Sequence, residues 1–212
     1  MKAKVDVLMA GVGGQGIILA SDALAEVALR SGYDVKKSDS LGMAQRGGSV
    51  TSHVRLGEHV FSPMIKRGEA DYLLAFERLE AARWADFLGP AGVAIVNDQA
   101  IPPLSVIGNA SAYPSTQDVR KVIREHTKAV HFLSGLEIVE GLGNPQVLNV
   151  LLLGYLSTFL DIDETCYLEV ISQRVPSRYL DVNLAAFHQG KKEALQGTQA
   201  GHRRESLRRH KV

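Results

Sequence analysis

Ala10-Gly11-Val12-Gly13-Gly14-Gln15-Gly16-Ile17-Ile18 is where an apolar run breaks into glycines and then turns helical. Upstream, Val5 to Ala10 is short, apolar and partly β-branched, the pattern of a buried strand in a parallel sheet. Downstream, Ile17 to Arg30 places its polar positions at Ser21/Asp22, Glu26 and Arg30. That stripe leaves the remaining faces apolar, which predicts a mostly buried helix. Strand, glycine loop and helix in this order form the first turn of a doubly wound α/β fold. Gly11, Gly13 and Gly16 fit G-x-G-x-x-G, with Gly14 in addition. Such a loop brings backbone N–H groups and a helix N-terminus close to an anion. Gly11, Gly13, Gly14, Gln15 and Gly16 are therefore the candidate cofactor-binding positions, although the same glycines would also serve a tight turn that packs the helix on the sheet. A dinucleotide site further wants an acidic residue about twenty residues on. Asp39 is the nearest, and it sits poorly, behind Lys36, Lys37 and Ser38.

Working outward, Ser31-Gly32 ends the first helix and Asp34 to Ser38 reads as a second strand. Ser40 to Gly48 follows, a loop with an arginine and three glycines that is too rich in specific chemistry for a passive linker. Val50, Ser52, Val54 and Leu56 alternate with Thr51, His53 and Arg55, which predicts a half-buried strand, with His59 to Pro63 as its hairpin partner. Tyr72–Phe76, Val93–Val96 and Ala129–Leu133 read as further strands, and Glu77–Leu88 as a helix with Trp84 on its apolar stripe. Ser115 or Thr116 caps a helix in which Val119, Val122, Ile123 and His126 share a face. Asn144-Pro145 opens a helix uncharged through Leu160, expected to be wholly buried in this core or against another subunit. Asp161 and Pro176 begin the last two helices, the second ending near Gly190 or slightly beyond. The whole predicts an α/β fold: a doubly wound, mainly parallel Rossmann-like sheet with helices on both faces and an added hairpin.

The chain has 212 residues, suited to one domain over residues 1–195. From Lys191 onward the net charge is +5, against −4 for the rest. Residues 196–212 are thus expected to be a basic, disordered tail, and without aromatic residues or a recognisable module they carry no nucleic-acid role. The N-terminal apolar run is too short for a leader and Pro145–Leu160 too short and polar for a membrane span, so a cytoplasmic protein with no membrane partner is expected. Cys166 is the only cysteine, and an iron–sulfur cluster usually takes four thiolates. No spacing suggests a zinc site. His53, His59, His126, His131 and His188 are scattered, with no nucleophile–base pair, and Asp161/Asp163 is explained by capping. On this logic the chain is an anion-binding domain without a catalytic centre of its own.

Several stretches together resemble one family: Gly11-Val12-Gly13-Gly14-Gln15-Gly16-Ile17, Gly42-Met43-Ala44-Gln45-Arg46-Gly47-Gly48-Ser49-Val50, Ser52-His53-Val54-Arg55, Ser62-Pro63, Glu69 to Glu77, Asn144-Pro145 and Asn149 to Gly154. It is the gamma-type domain of 2-oxoacid:ferredoxin oxidoreductases, over about residues 5–160. The resemblance implies an accessory subunit, inactive when isolated, beside a catalytic alpha subunit that holds thiamine diphosphate and iron–sulfur clusters. Coenzyme A is implied as co-substrate and ferredoxin as electron acceptor. Met43, Gln45, Arg46, Gly47 and Gly48 are the candidate partner or substrate loop. Gln45 offers donors and acceptors, Arg46 a planar donor fork, and the glycines close backbone approach. Two rival readings stay open: a free-standing nucleotide- or dinucleotide-binding protein, and a structural subunit whose glycine loop binds nothing.

Overall fold

The computed structural model describes residues 4–41, 48–102 and 113–209, with side chains as far as Gly197. Six strands form one sheet in the order β2-β3-β1-β4-β5-β6. These are β1 (Val5–Val12), β2 (Asp34–Leu41), β3 (Ser49–Gly57), β4 (Ala70–Ala75), β5 (Leu88–Asn97) and β6 (Ala129–Leu133). β1, β4, β5 and β6 pair in parallel, whereas β3 runs antiparallel to both of its neighbours, β1 and β2. The mainly parallel, doubly wound sheet expected from the sequence is present.

The hairpin differs from the reading. β3 turns back against β2, not against His59–Pro63, which forms no strand. The reason is burial on both faces of β3. Its Val50, Val54 and Leu56 face one core, while Thr51 and His53, polar in the alternation, are also buried. Segment 59–65 lies against that second face, where Ile65 N–H donates to His53 Nδ1 at 3.3 Å. Alternating polarity therefore marked hydrogen-bonding partners, not solvent.

Helices cover both faces. α1 (Ile17–Arg30), α4 (Gly135–Gly141), α5 (Leu148–Ser157), α6 (Glu164–Arg174) and α7 (Leu180–Arg209) lie on one. α2 (Arg78–Arg83) and α3 (Thr116–Arg124) lie on the other. α2 stops early, and a short 3-10 turn over Ala85–Phe87 leads directly into β5, leaving Trp84 half-buried. In α3, Ser115 and Asp118 form a reciprocal capping box, and Val119 and Ile123 are buried while Val122 is exposed. α4 was not foreseen. No described helix is long and apolar enough to cross a membrane.

α5 is buried along almost its whole length within this chain's own core. It meets α7 through two glycines. A Cβ on Gly154 would stand 2.1 Å from the carbonyl oxygen of Phe187, and one on Gly190 would stand 2.0 Å from that of Leu151. Gly190 is thus a packing residue inside a helix. α7 does not end there but continues to Arg209, through most of the stretch expected to be a tail.

Two expected outcomes follow from this packing. Glycine inside a helix ordinarily costs about 1 kcal/mol relative to alanine, so Gly190→Ala should stabilise if propensity decided. The steric overlap decides instead. Gly154→Ala and Gly190→Ala should each lose about 3 kcal/mol or more, seen as a melting temperature lowered by several degrees. The second concerns pH. Burial, then the Arg55 charge, holds His53 below the ordinary imidazole range, and burial does the same to His131, whose Nδ1 meets the Tyr155 hydroxyl at 3.1 Å. Below about pH 6.5 the unfolded chain binds protons at these sites that the folded chain resists, so stability should fall as pH drops from 7.5 to 5.5. His131→Phe should flatten that slope in thermal melts.

Candidate functional site

Parallel strands place their carboxyl ends along one edge, and α1 leaves β1 in one direction while α2 leaves β4 in the other. The β1–β4 boundary is therefore the point where a doubly wound sheet opens toward ligands. Phe76 N–H donates to Ala10 O there at 2.8 Å. β1 runs two residues further than its apolar run, so Gly11 lies within the strand. A Cβ on Gly11 would stand 2.8 Å from Phe76 Cβ and 2.9 Å from Gln15 Oε1. This glycine is buried and admits close packing.

The rest of the loop divides between fold and site. Gly13 N–H donates to Gly48 O at 2.9 Å, and Gln15 N–H to Val12 O at 3.1 Å. Both amides are engaged within the chain. The Gln15 side chain is engaged too: it accepts from Val12 N–H at 2.8 Å and donates to Phe76 O at 2.8 Å and Gln99 Oε1 at 3.1 Å. Gly14 and Gly16 remain, with φ of +104° and +80°. Gly14 is exposed, and a Cβ there would meet nothing within 4 Å. Gly16 caps α1 without any side-chain hydrogen bond, which leaves the first amides of the helix without intrahelical acceptors. A Cβ on Gly16 would press on Asn149 at 3.1–3.2 Å. The part of the loop whose amides are left without partners among these contacts is thus Gly14, Gly16 and the first turn of α1.

Gly48 stands at the same edge, joined to Gly13, because β3 starts opposite the end of β1 with Ser49 paired to Val12. Of the partner loop, Gly48 is thus joined to the glycine loop. Met43, Gln45, Arg46 and Gly47 lie outside the described residues. Asp39 is not poised for a ribose: its carboxylate accepts from Ser52 Oγ at 2.6 Å and pairs with Lys37 Nζ at 2.6 Å.

The side chains that sequence reasoning missed are the polar ones along this edge. Asn97, fully buried, donates to Phe76 O at 3.0 Å and to Gln99 Oε1 at 3.2 Å, and accepts from Gly135 N–H at 2.9 Å. Buried Glu77 caps α2, accepting from Glu80 N–H at 2.9 Å, and its other oxygen accepts from Ile101 N–H at 3.2 Å and from the Tyr113 hydroxyl. Burial and the Glu77 contact raise the Tyr113 phenol well above its ordinary range. Buried Glu80 accepts from Ser49 Oγ and Trp84 Nε1 and pairs with Arg83. Arg78 reaches Asp98 at 3.2 Å and Thr116 Oγ1 at 2.7 Å. Only their position after strands β4 and β5 could have drawn attention to them. Each makes at least one bond to another group of the chain, although the buried Nε of Arg78 has no partner among the described residues. Among the described residues no three His, Cys, Asp or Glu side chains converge as metal ligands.

Comparison with known proteins agrees with this architecture. The chain is 37% identical over 192 residues to the indolepyruvate oxidoreductase subunit IorB of Thermococcus kodakarensis, covering 89% of this chain and 95% of that one. Its fold matches the gamma subunit of a keto/oxoacid ferredoxin oxidoreductase from Geobacter sulfurreducens, with a TM-score of 0.68 at 22% identity over 91% of this chain and 99% of that one. It also matches the 2-oxoglutarate:ferredoxin oxidoreductase of Magnetococcus marinus, solved with 2-oxoglutarate, coenzyme A and succinyl-CoA bound, with a TM-score of 0.71 at 22% identity. That match takes in 92% of this chain but 32% of the longer one. The profile of the pyruvate ferredoxin/flavodoxin oxidoreductase family spans residues 6–193, and the chain belongs to that family.

Proposed function

We propose that this chain is the accessory subunit of a cytoplasmic 2-oxoacid:ferredoxin oxidoreductase, acting with a catalytic alpha subunit on indolepyruvate or a related aryl 2-oxoacid. The relative from Thermococcus supports the substrate class by its name. In the assembled enzyme the 2-oxoacid loses carbon dioxide, its electrons pass to ferredoxin, and coenzyme A takes the acyl group. Thiamine diphosphate and iron–sulfur clusters, supplying the carbanion chemistry and the electron path, belong to the partner. The fit supports this division, since Cys166 on α6 offers one thiolate where a cluster needs four. No nucleic acid or membrane enters the reading.

The observation that carries the helper role is the state of the carboxyl edge. Most of its described polar side chains are bonded within the chain, while Gly14, Gly16 and the uncapped first turn of α1 leave backbone groups open. Such a surface binds and positions without transferring protons. A phosphate of coenzyme A or of the partner's cofactor suits these amides, because the helix end carries partial positive charge. Arg46, two residues before Gly48 at this edge, would supply the anion-binding fork toward the partner.

Reconstitution tests this. The isolated chain should show no indolepyruvate-dependent ferredoxin reduction, and adding the catalytic subunit should restore it. In the same assay Arg46→Ala should melt as wild type alone while lowering turnover of the complex tenfold or more, equivalent to about 1.4 kcal/mol. Turnover by the isolated, cluster-free chain would refute the helper role. Full turnover by the variant complex would remove Arg46 from it.

A further inference from the structure

A cavity of about 350 Å³ opens between α1, α5, α6 and the start of α7. Pockets of this size hold small molecules when they are mostly apolar with a few placed polar groups. Ala20 and Ala23 of α1 line it together with Leu153 of α5 and Ile171 of α6. No acidic side chain is among the lining residues, and Arg174 is the one charged residue there. Two asparagines of the lining show the sense of the remaining polarity. Asn144 Oδ1 accepts from Gln146 N–H and Asn149 Oδ1 from Val150 N–H, each at 3.0 Å. A backbone N–H can only donate, so the amide atom facing it must be the oxygen. Both side chains are left with Nδ2 donors that bond to no described residue. Arg174 adds more donors. Its Nε donates to Glu26 Oε2 at 2.7 Å, and its other guanidinium nitrogens bond to no described residue. Glu26 also accepts from Arg30, whose further neighbour Glu169 is exposed and 3.9 Å away, so one carboxylate is shared by two arginines.

We infer that this cavity binds an apolar monocarboxylate, its carboxylate on the donors of Arg174, Asn144 and Asn149 and its body against the apolar walls. The inference needs no partner subunit and does not rest on the accessory reading. Unused donors with no carboxylate among them call for a ligand rich in acceptors. A carboxylate taken out of water is tolerated only where it is paired and hydrogen-bonded. The planar fork of Arg174, oriented by its bond to Glu26, suits a carboxylate held by two parallel bonds. The alanine, leucine and isoleucine walls call for an apolar body, either a ring system or a branched chain. Asn149 also abuts the glycine loop, since a Cβ on Gly16 would stand 3.1–3.2 Å from it. An occupant held by Asn149 therefore lies one side chain away from the start of α1.

The test is calorimetric titration of the full chain with indole-3-acetate, 4-methylpentanoate, indole and acetate. At least one of the two larger acids should saturate one site per chain. Indole-3-acetate alone would mark an aryl ligand and 4-methylpentanoate alone a branched one, and either supports the site. Indole and acetate, each carrying half of the ligand's chemistry, should bind about tenfold more weakly or worse than the better acid. Arg174→Gln should weaken that acid by about the same factor while melting close to wild type, because its ion pair with Glu26 is partly exposed. Ala23→Met, which puts a longer side chain into the cavity, should abolish binding. If that variant melts early, Arg174→Gln carries the test by itself. Failure of both larger acids to saturate at millimolar concentration would overturn the proposal. So would wild-type affinity in Arg174→Gln, or binding that survives in a folded Ala23→Met chain, because the ligand would then sit elsewhere. Indole binding as tightly as the better acid would overturn the carboxylate assignment.

Discussion

The side-chain amide of Gln15 ties three strand ends together, accepting from Val12 on β1 and donating to Phe76 beyond β4 and to Gln99 beyond β5. Strand ends in a parallel sheet leave backbone groups with no further ladder partner, and a buried unpaired one costs about 1–3 kcal/mol. Gln15 meets two of these needs at once, and Asn97 extends the arrangement to Gly135 at the start of α4. The contact is close enough to exclude a side chain at position 11. A helix entering under this clasp then has its first amides aimed outward beside Gly14. The uncapped start of α1 beside Gly14 is a consequence of how the strand ends are closed.

The opposite end of the sheet is closed by charge. Asp6 is almost wholly buried, accepts the Arg55 fork and also pairs with Lys4 at 2.9 Å. Removing one member of such a pair leaves the other buried without a partner, which is far costlier than the pair itself is stabilising. Asp71 pairs its carboxylate with Asp6 N–H at 2.8 Å, and burial raises its pKa. The two ends of β1 thus have different chemistry. Amides and glycines close the carboxyl end and leave backbone donors outward, while an ion pair closes the amino end and, through Arg55, fixes segment 59–65.

Much of this was legible in the sequence. The β-branched run into glycines gave β1, the turn and α1, and the uncharged stretch after Asn144-Pro145 gave the buried helix. Gly48 lies beside the glycine loop, where Gly13 N–H donates to its carbonyl. What was not legible depends on tertiary neighbours. Period-two polarity at Thr51 and His53 looked like solvent exposure, but segment 59–65 supplies the partner. Gly190 looked like a helix end, yet its missing Cβ serves the carbonyl of Leu151 across the helix pair. Gly13 and Gln15 looked like anion ligands, whereas their amides find acceptors within the chain. A glycine pattern shows where backbone comes close, and only the fold shows to what.

The central claim is that side chains at the carboxyl edge hold the fold and that its backbone does the binding. Gln15 separates the two roles most directly, being the one residue of the glycine loop with a functional side chain. The measurement is the melting temperature of Gln15→Ala as an isolated chain, beside turnover of the complex under conditions where both proteins are folded. Losing the clasp should cost about 1–3 kcal/mol, a fall of several degrees for a chain of this size, with turnover within about twofold of wild type. An unchanged melting temperature with turnover abolished would contradict the account, because Gln15 would then act on the reaction and not on the fold.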